Sequence, residues 1–198
     1  MPQRVAARAN SQIYLIVDLE ATCWKGTQPG QTETIEIGAV LYEQGKGIVT
    51  EFQSFVRPKL WPELSDFCKQ LTHIRQEDVD SAPTFPEAFR KFLDWAEPYP
   101  SAAFTSWGAY DRKQLLMDCL LHQMEPWERL DPHINLKRAF SALMDCSLAP
   151  ELSHALELSK IAGRGNLHRG LDDARNIAQV LEHLLTKFSP ERLKSNAM

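Results

Sequence analysis

Residues 14–24 read YLIVDLEATCW. Four largely apolar residues lead into Asp18, then Leu19, then Glu20, so two carboxylates stand at the end of what reads as a buried strand. Side chains alternate across a strand, which puts Asp18 and Glu20 on one face and Leu19 on the other. Such a pair repels, each member raising the pKa of the other, and an uncompensated buried carboxylate is costly. Basic partners, a strand end open to solvent, or a metal ion would each meet that cost.

Outward from this stretch, TIEIGAVLY (34–42) and GIVTEFQSFV (47–56) alternate and are rich in β-branched residues, with the glycines of EQGKG between them. Together with residues 12–20 they predict an antiparallel three-strand meander. SDFCKQLTHI predicts a short helix capped by Ser65. Thr84 and Glu87 have capping-box spacing before FPEAFRKFLDWA. SAAFTSW (101–107) predicts a strand and AYDRKQLLMDCLLHQM (109–124) a helix. HINLKRAF predicts a short strand entering a helix, and ELSHALELSKIAG (151–163) a helix stopped at Gly163. LDDARNIAQVLEHLL (171–185) closes the fold. Meander first, then alternating helices and strands, predicts an α/β fold with a mixed sheet covered by helices.

Two further carboxylates stand at element junctions. At about 100° per residue, Leu171, Ala174, Ile177, Ala178, Val180, Leu181, Leu184 and Leu185 form one apolar arc. Asp172, Asn176, Gln179 and His183 lie opposite its centre, while Asp173 falls at its edge. Asp173 is therefore the inward carboxylate, and Asp172 a first-turn residue facing solvent. In SWGAYDRKQLL, Asp111 opens a helix after an apolar strand; a capping role would suffice for it alone. Asp18, Glu20, Asp111 and Asp173 make an all-oxygen set suited to Mg²⁺ or Mn²⁺, and phosphoryl chemistry often uses two such ions. His168, just before the last helix, is a candidate base.

The chain has 198 residues, 43% hydrophobic, with 22 Lys plus Arg against 26 Asp plus Glu. That supports one domain, here residues 12–188, between a flexible lead-in (1–11) and a flexible tail (189–198). A net charge of −4 gives no global sign of nucleic-acid binding, although a local groove can still be basic. Cys23, Cys68, Cys119 and Cys146 are scattered with no CxxC pair, no apolar run reaches membrane-span length, and MPQRVAARANSQ has no signal-peptide core. These features predict a cytoplasmic protein with reduced thiols and no membrane partner.

The order Asp-x-Glu, then Asp, then His-x₄-Asp resembles the DEDDh superfamily of 3′–5′ exonucleases, which have a ribonuclease-H-like fold. Within it, DLEATCW, LSDFCKQLTHIRQEDVDSAPTFPEAFRKFLDW, SWGAYD and HRGLDDARNIA are similar to the enhancer-of-RNAi and histone-mRNA 3′-exonuclease family, including its compact bacterial relatives of the KapD type. The resemblance covers about residues 12–188. It implies that Asp18 bridges two divalent ions, that Glu20, Asp111 and Asp173 complete their shells, and that His168 is the general base. The product would be a nucleoside 5′-monophosphate released from the 3′ end of single-stranded RNA or DNA. It further implies that Glu20 also meets substrate, that backbone at Ala21 and Thr22 meets the terminal ribose, and that Leu71, Ile74 and Trp107 sandwich the base; stacking of that kind is sequence-tolerant. For Trp107 an ordinary aromatic at a strand end is the competing expectation.

His73 stands in LTHI where many relatives have glycine, which leaves a changed substrate preference, a replaced backbone contact or a helix cap as its roles. A chain of this length is also expected to lack the extra nucleic-acid-binding domain of larger relatives. Glu36 is expected to be solvent-facing or ion-paired, and Arg164 and Arg169, flanking His168, to meet phosphate. Two other function classes compete: a regulatory or scaffold protein that keeps the fold without catalysis, and a nucleic-acid-binding module. The first would be favoured by a lost ligand, and none is lost; the second would be favoured by a basic surface, which the composition does not favour.

Overall fold

The structure, a computed structural model, describes residues 12–197; the lead-in expected over 1–11 lies outside them. Five strands, β1 (Ile13–Ala21), β2 (Thr34–Glu43), β3 (Gly47–Phe55), β4 (Ala103–Ser106) and β5 (His133–Asn135), form one sheet in the order β3-β2-β1-β4-β5. The first three are the antiparallel meander; β4 and β5 add in parallel beyond β1. The helices are α1 (Asp66–Thr72), α2 (Gln76–Asp80), α3 (Phe85–Ala96), α4 (Tyr110–Leu121), α5 (Leu136–Leu143), α6 (Leu152–Ser159), α7 (Gly170–Lys187) and α8 (Pro190–Ala197). This is the ribonuclease-H-like mixed sheet, covered by helices on both faces. No helix among the described residues is long and apolar enough to cross a membrane.

The alternation of β1 sorts the core into two layers. Leu15, Val17 and Leu19 pack with Ile37, Ala39 and Leu41 against Phe85, Phe89 and Phe92 of α3 and Leu115 of α4. Tyr14 and Ile16 pack with Val40 against Ile177, Val180, Leu181 and Leu184 of α7. Asp18 and Glu20 therefore continue the row that faces α7. Each Val, Leu, Ile or Phe side chain buried in these layers contributes about 1.5–3 kcal/mol relative to exposure. A smaller cluster, Ile35, Leu64, Cys68, Ile74 and Val79, seats α1 and α2.

Local signals set most element ends. Ser65 accepts from the Cys68 amide at 3.0 Å, and the Thr84 amide donates to Glu87 at 2.8 Å. His73 closes α1 in the left-handed region (φ 57°), which glycine adopts without strain, so at LTHI it serves as a helix cap. Two expectations differ from the structure. Helix α6 stops at Ser159 with Lys160 left-handed (φ 57°), because the Ile161 amide closes back on the Leu156 carbonyl at 2.9 Å, and does not reach Gly163. The tail expected to be flexible is helix α8: Ser189 accepts from the Arg192 amide, and Leu193 and Ala197, one turn apart, are buried in the α7 layer.

Candidate active site

The carboxylates converge because the sheet is irregular where they stand. β1 pairs with β4 only over Tyr14–Ile16, and β4 ends at Ser106. The Leu19 amide, lacking a strand partner there, donates to Asp111 Oδ1 at 3.0 Å from the first turn of α4. On the other edge Asp18 lies opposite Gly38, and Glu20 opposite Glu36; the register slips by one residue just beyond, between Glu20 and Ala21. A Cβ on Gly38 would come within 2.0 Å of the Gly170 carbonyl carbon, so only glycine there admits the N-terminus of α7. That contact lays Asp173, in the first turns of α7, beside the β1 pair.

His168 belongs to an exposed loop tied down at three points. Asn176 binds the amide of Arg164 at 2.8 Å and its carbonyl at 3.0 Å. Asp172 accepts from the Asn166 amide at 3.0 Å, and Asp173 Oδ2 accepts from the His168 amide at 2.8 Å. The latter bond helps hold His168 at φ 62°. One potential ligand atom each from Glu20, His168 and Asp173 lie within 4.8 Å of one another.

These side chains line a cavity of about 410 Å³ together with Asp18, Asp111, Trp107, Tyr110 and Leu167, and with Glu151–Ser153 at its rim. Among the described residues no Lys or Arg side chain pairs with Asp18, Glu20, Asp111 or Asp173. Their titration reflects that lack. Burial, then the charges of Asp111, Glu20, Asp173 and Glu36, hold Asp18 well above the carboxylate range. Burial and the charges of Asp173, Glu36 and Asp111 push Glu20 up to about 9. Burial takes Asp111 and Asp173 to about 6, against the opposing bonds from Leu19 and His168. Asp173 Oδ1 is buried with no hydrogen-bond partner at all. Four converging carboxylates, one with an orphaned oxygen, fit a hard divalent cation and no organic cofactor.

Of the residues expected at the substrate, Trp107 lies in the cavity wall, its indole N–H donating to the Pro150 carbonyl at 3.2 Å and its ring tilted on Phe140. Ala21 and Thr22 follow Glu20 but are not in that wall: the Ala21 carbonyl accepts from Cys68 Sγ, and the Thr22 hydroxyl accepts from the Glu33 amide at 3.0 Å. Leu71 is half-buried on α1 and is not part of the wall. Ile74 is corrected: it is 0% exposed inside the α1–α2 cluster and presents no surface to a base. Sequence reasoning missed Tyr110, which precedes Asp111 and is 51% exposed, and Leu167, next to His168. It also misplaced Asn176, expected opposite the apolar arc; Asn176 is fully buried, because its amide serves the His168 loop.

Comparison with known proteins agrees with this geometry. Residues 15–181 match the exonuclease (RNase_T) family model. The chain is 33% identical over 180 residues to 3′–5′ exoribonuclease 1 of Homo sapiens, covering 86% of this chain and 51% of that protein. It is 33% identical to ERI1 exoribonuclease 2 of Danio rerio, covering 90% and 37%. The chain thus spans about a third to a half of the length of such curated relatives. Among solved structures, the nuclease domain of 3′hExo, a DEDDh family member bound to rAMP, superposes with a TM-score of 0.83 at 31% identity, covering 91% of this chain and 94% of that one. With the fold, the carboxylate set and the family match in agreement, the chain belongs to the exonuclease family, in its DEDDh group.

Proposed function

We propose that this protein is a divalent-cation-dependent 3′–5′ exonuclease that removes nucleoside 5′-monophosphates one at a time from single-stranded RNA or DNA. The observation that carries the proposal is the convergence of four carboxylates, without a basic partner, beside an exposed histidine. Asp18, Glu20, Asp111 and Asp173 would hold two Mg²⁺ or Mn²⁺ ions. When bound, such ions neutralise charge on the phosphate and on the attacking and leaving oxygens.

The chain's own residues do the rest. His168 accepts, at a ring nitrogen, the proton of a water whose oxygen bonds to the terminal phosphorus. The bond from phosphorus to the 3′-oxygen of the preceding nucleotide breaks, and that oxygen takes a proton from solvent. Asp173 holds the His168 backbone by its amide and so aims the base. Trp107 offers a stacking surface to the terminal base, and backbone near Ala21 and Thr22 is assigned to the ribose by family likeness. RNA is favoured by the ribonucleotide bound in the 3′hExo neighbour and by the exoribonuclease relatives. The acidic balance favours a short footprint, since few phosphates would be neutralised. We place the protein in the cytoplasm, in keeping with four free cysteines.

The test is incubation of purified protein with 5′-labelled single-stranded RNA and DNA in Mg²⁺, Mn²⁺ or EDTA. Stepwise shortening from the 3′ end that EDTA abolishes is the expected result. Intact substrates with both metals would refute it and leave a regulatory role for a retained fold.

A further inference from the structure

Glu36 is a fifth carboxylate near the site, and its surroundings set it apart from the other four. It lies directly across the β1–β2 ladder from Glu20, on the same face, where a like-charged pair is unfavourable. It is 0% exposed and absent from the cavity wall, so it touches neither substrate nor solvent. Its oxygens are fully engaged instead: Oε1 accepts from Gln53 Nε2 at 2.7 Å, and Oε2 accepts from Arg169 Nε at 3.0 Å and from the Gly170 amide at 3.2 Å.

Gly170 is the first residue of α7, whose own N-cap residue, Arg169, supplies no side-chain cap. An α-helix leaves its first amides without partners, and an anion placed there is favoured, more so when buried. A neighbouring strand therefore caps α7 in trans. The bonded residues are the two that follow His168 directly. Arg169 is held twice, by Glu36 and by the ring of Phe55 at 5.2 Å.

We propose that Glu36 is a positioning residue for the hydrolysis: through Arg169 and Gly170 it fixes where the loop delivers His168, independently of cation binding. This rests on the exonuclease reading with His168 as base. Asp173 anchors His168 from one side and Glu36 from the other, so losing Glu36 leaves the loop attached but lets its outgoing limb drift. A shift of that kind lowers the rate of proton transfer without removing the base.

The experiment is a double-mutant cycle on RNA shortening in Mn²⁺ with Glu36→Ala, His168→Ala and the double variant, alongside calorimetric Mn²⁺ binding and amide exchange at Gly170. Glu36→Ala is expected to lower kcat about 10–100-fold, with KM and Mn²⁺ affinity within about three-fold, and to cost less than about three-fold in the His168→Ala background. Gly170 exchange should rise at least about ten-fold. Glu36→Gln, near-isosteric and able to accept from Gly170, should recover part of the rate, and it carries the test if Glu36→Ala does not fold. Equal losses in both backgrounds, or lost Mn²⁺ affinity with kcat intact, would overturn the inference. An inactive wild-type protein would instead sink the exonuclease reading beneath it.

Discussion

Replacing Asp173 by asparagine should stabilise the cation-free protein while destroying its turnover. Burial raises the Asp173 carboxyl from 3.8 to about 6, so its charged form is disfavoured in the folded state. A carboxyl with a raised folded pKa contributes stability below its unfolded pKa, and that contribution is lost as pH rises through the folded value. At about 1.4 kcal/mol per pH unit, the loss by pH 8 is about 3 kcal/mol. Asparagine keeps an oxygen to accept from the His168 amide but carries no charge. In EDTA at pH 8, Asp173→Asn should therefore melt higher than wild type by about 6–12 °C, a chain of this size moving about 2–4 °C per kcal/mol. Near pH 4 most of that gain should vanish, because the folded wild-type carboxyl is then almost fully protonated and carries no buried charge for asparagine to remove. Saturating Mn²⁺ should reverse the order, since binding to the native state alone stabilises by mass action and the variant lacks a ligand. The assay is a thermal melt of both proteins at pH 4 and pH 8, with EDTA or MnCl₂. If Asp173→Asn melts at or below wild type in EDTA at pH 8, uncompensated charge does not strain the cavity, and the argument for a cation fails.

Asp18→Ala should abolish shortening of labelled RNA while the circular-dichroism spectrum stays native-like; retained turnover would remove Asp18 from the site. His168→Ala should lower kcat about 10²–10⁴-fold while calorimetric Mn²⁺ binding survives. Gly38→Ala places a methyl 2.0 Å from the Gly170 backbone and should cost at least about 1–3 kcal/mol by urea unfolding, together with activity, because α7 must back away from Asp18. Unchanged stability in that variant would show that α7 is not seated through this contact.

The meander, the mixed sheet and the metal-ligand candidates were legible because each leaves a local mark. Alternation in TIEIGAVLY, the glycines of EQGKG and the capping pair Thr84–Glu87 act over a few residues, and they agree with the elements that form. Asp173 was legible because a helix that buries one arc leaves few positions for an inward carboxylate. What stayed hidden depends on partners far away in the chain. Glu36 is expected to be solvent-facing or ion-paired, and the choice is made only when Arg169, 133 positions on, folds over it. Asn176 sits opposite the apolar arc, yet a returning loop buries it. Ile74 resembled a base-stacking residue by family likeness, but α2, which the sequence reading did not anticipate, packs Val79 beside it and closes it off. The tail was misjudged for the opposite reason: its polarity hides Leu193 and Ala197, and one turn of spacing is enough to dock a helix.

The site itself follows from what the central sheet fails to complete. A regular ladder would bind the Leu19 amide to a neighbouring strand; the early end of β4 leaves it open, and Asp111 enters to take it. A side chain at position 38 would keep α7 at ordinary distance; its absence lets the helix N-terminus, and Asp173 with it, reach the strand that carries Asp18. Both openings lie at the same level of β1, one on its edge and one on its face. Carboxylates from β1, α4 and α7 can therefore meet only there. Repulsion within such a group is severe, so the fold must supply rigid anchors to hold it together when no cation is bound. The Leu19–Asp111 bond, the His168–Asp173 bond and the Glu36 cap on α7 are backbone-directed anchors of that kind. Each fixes main chain instead of neutralising a ligand, which leaves the carboxylate charge free for the cation.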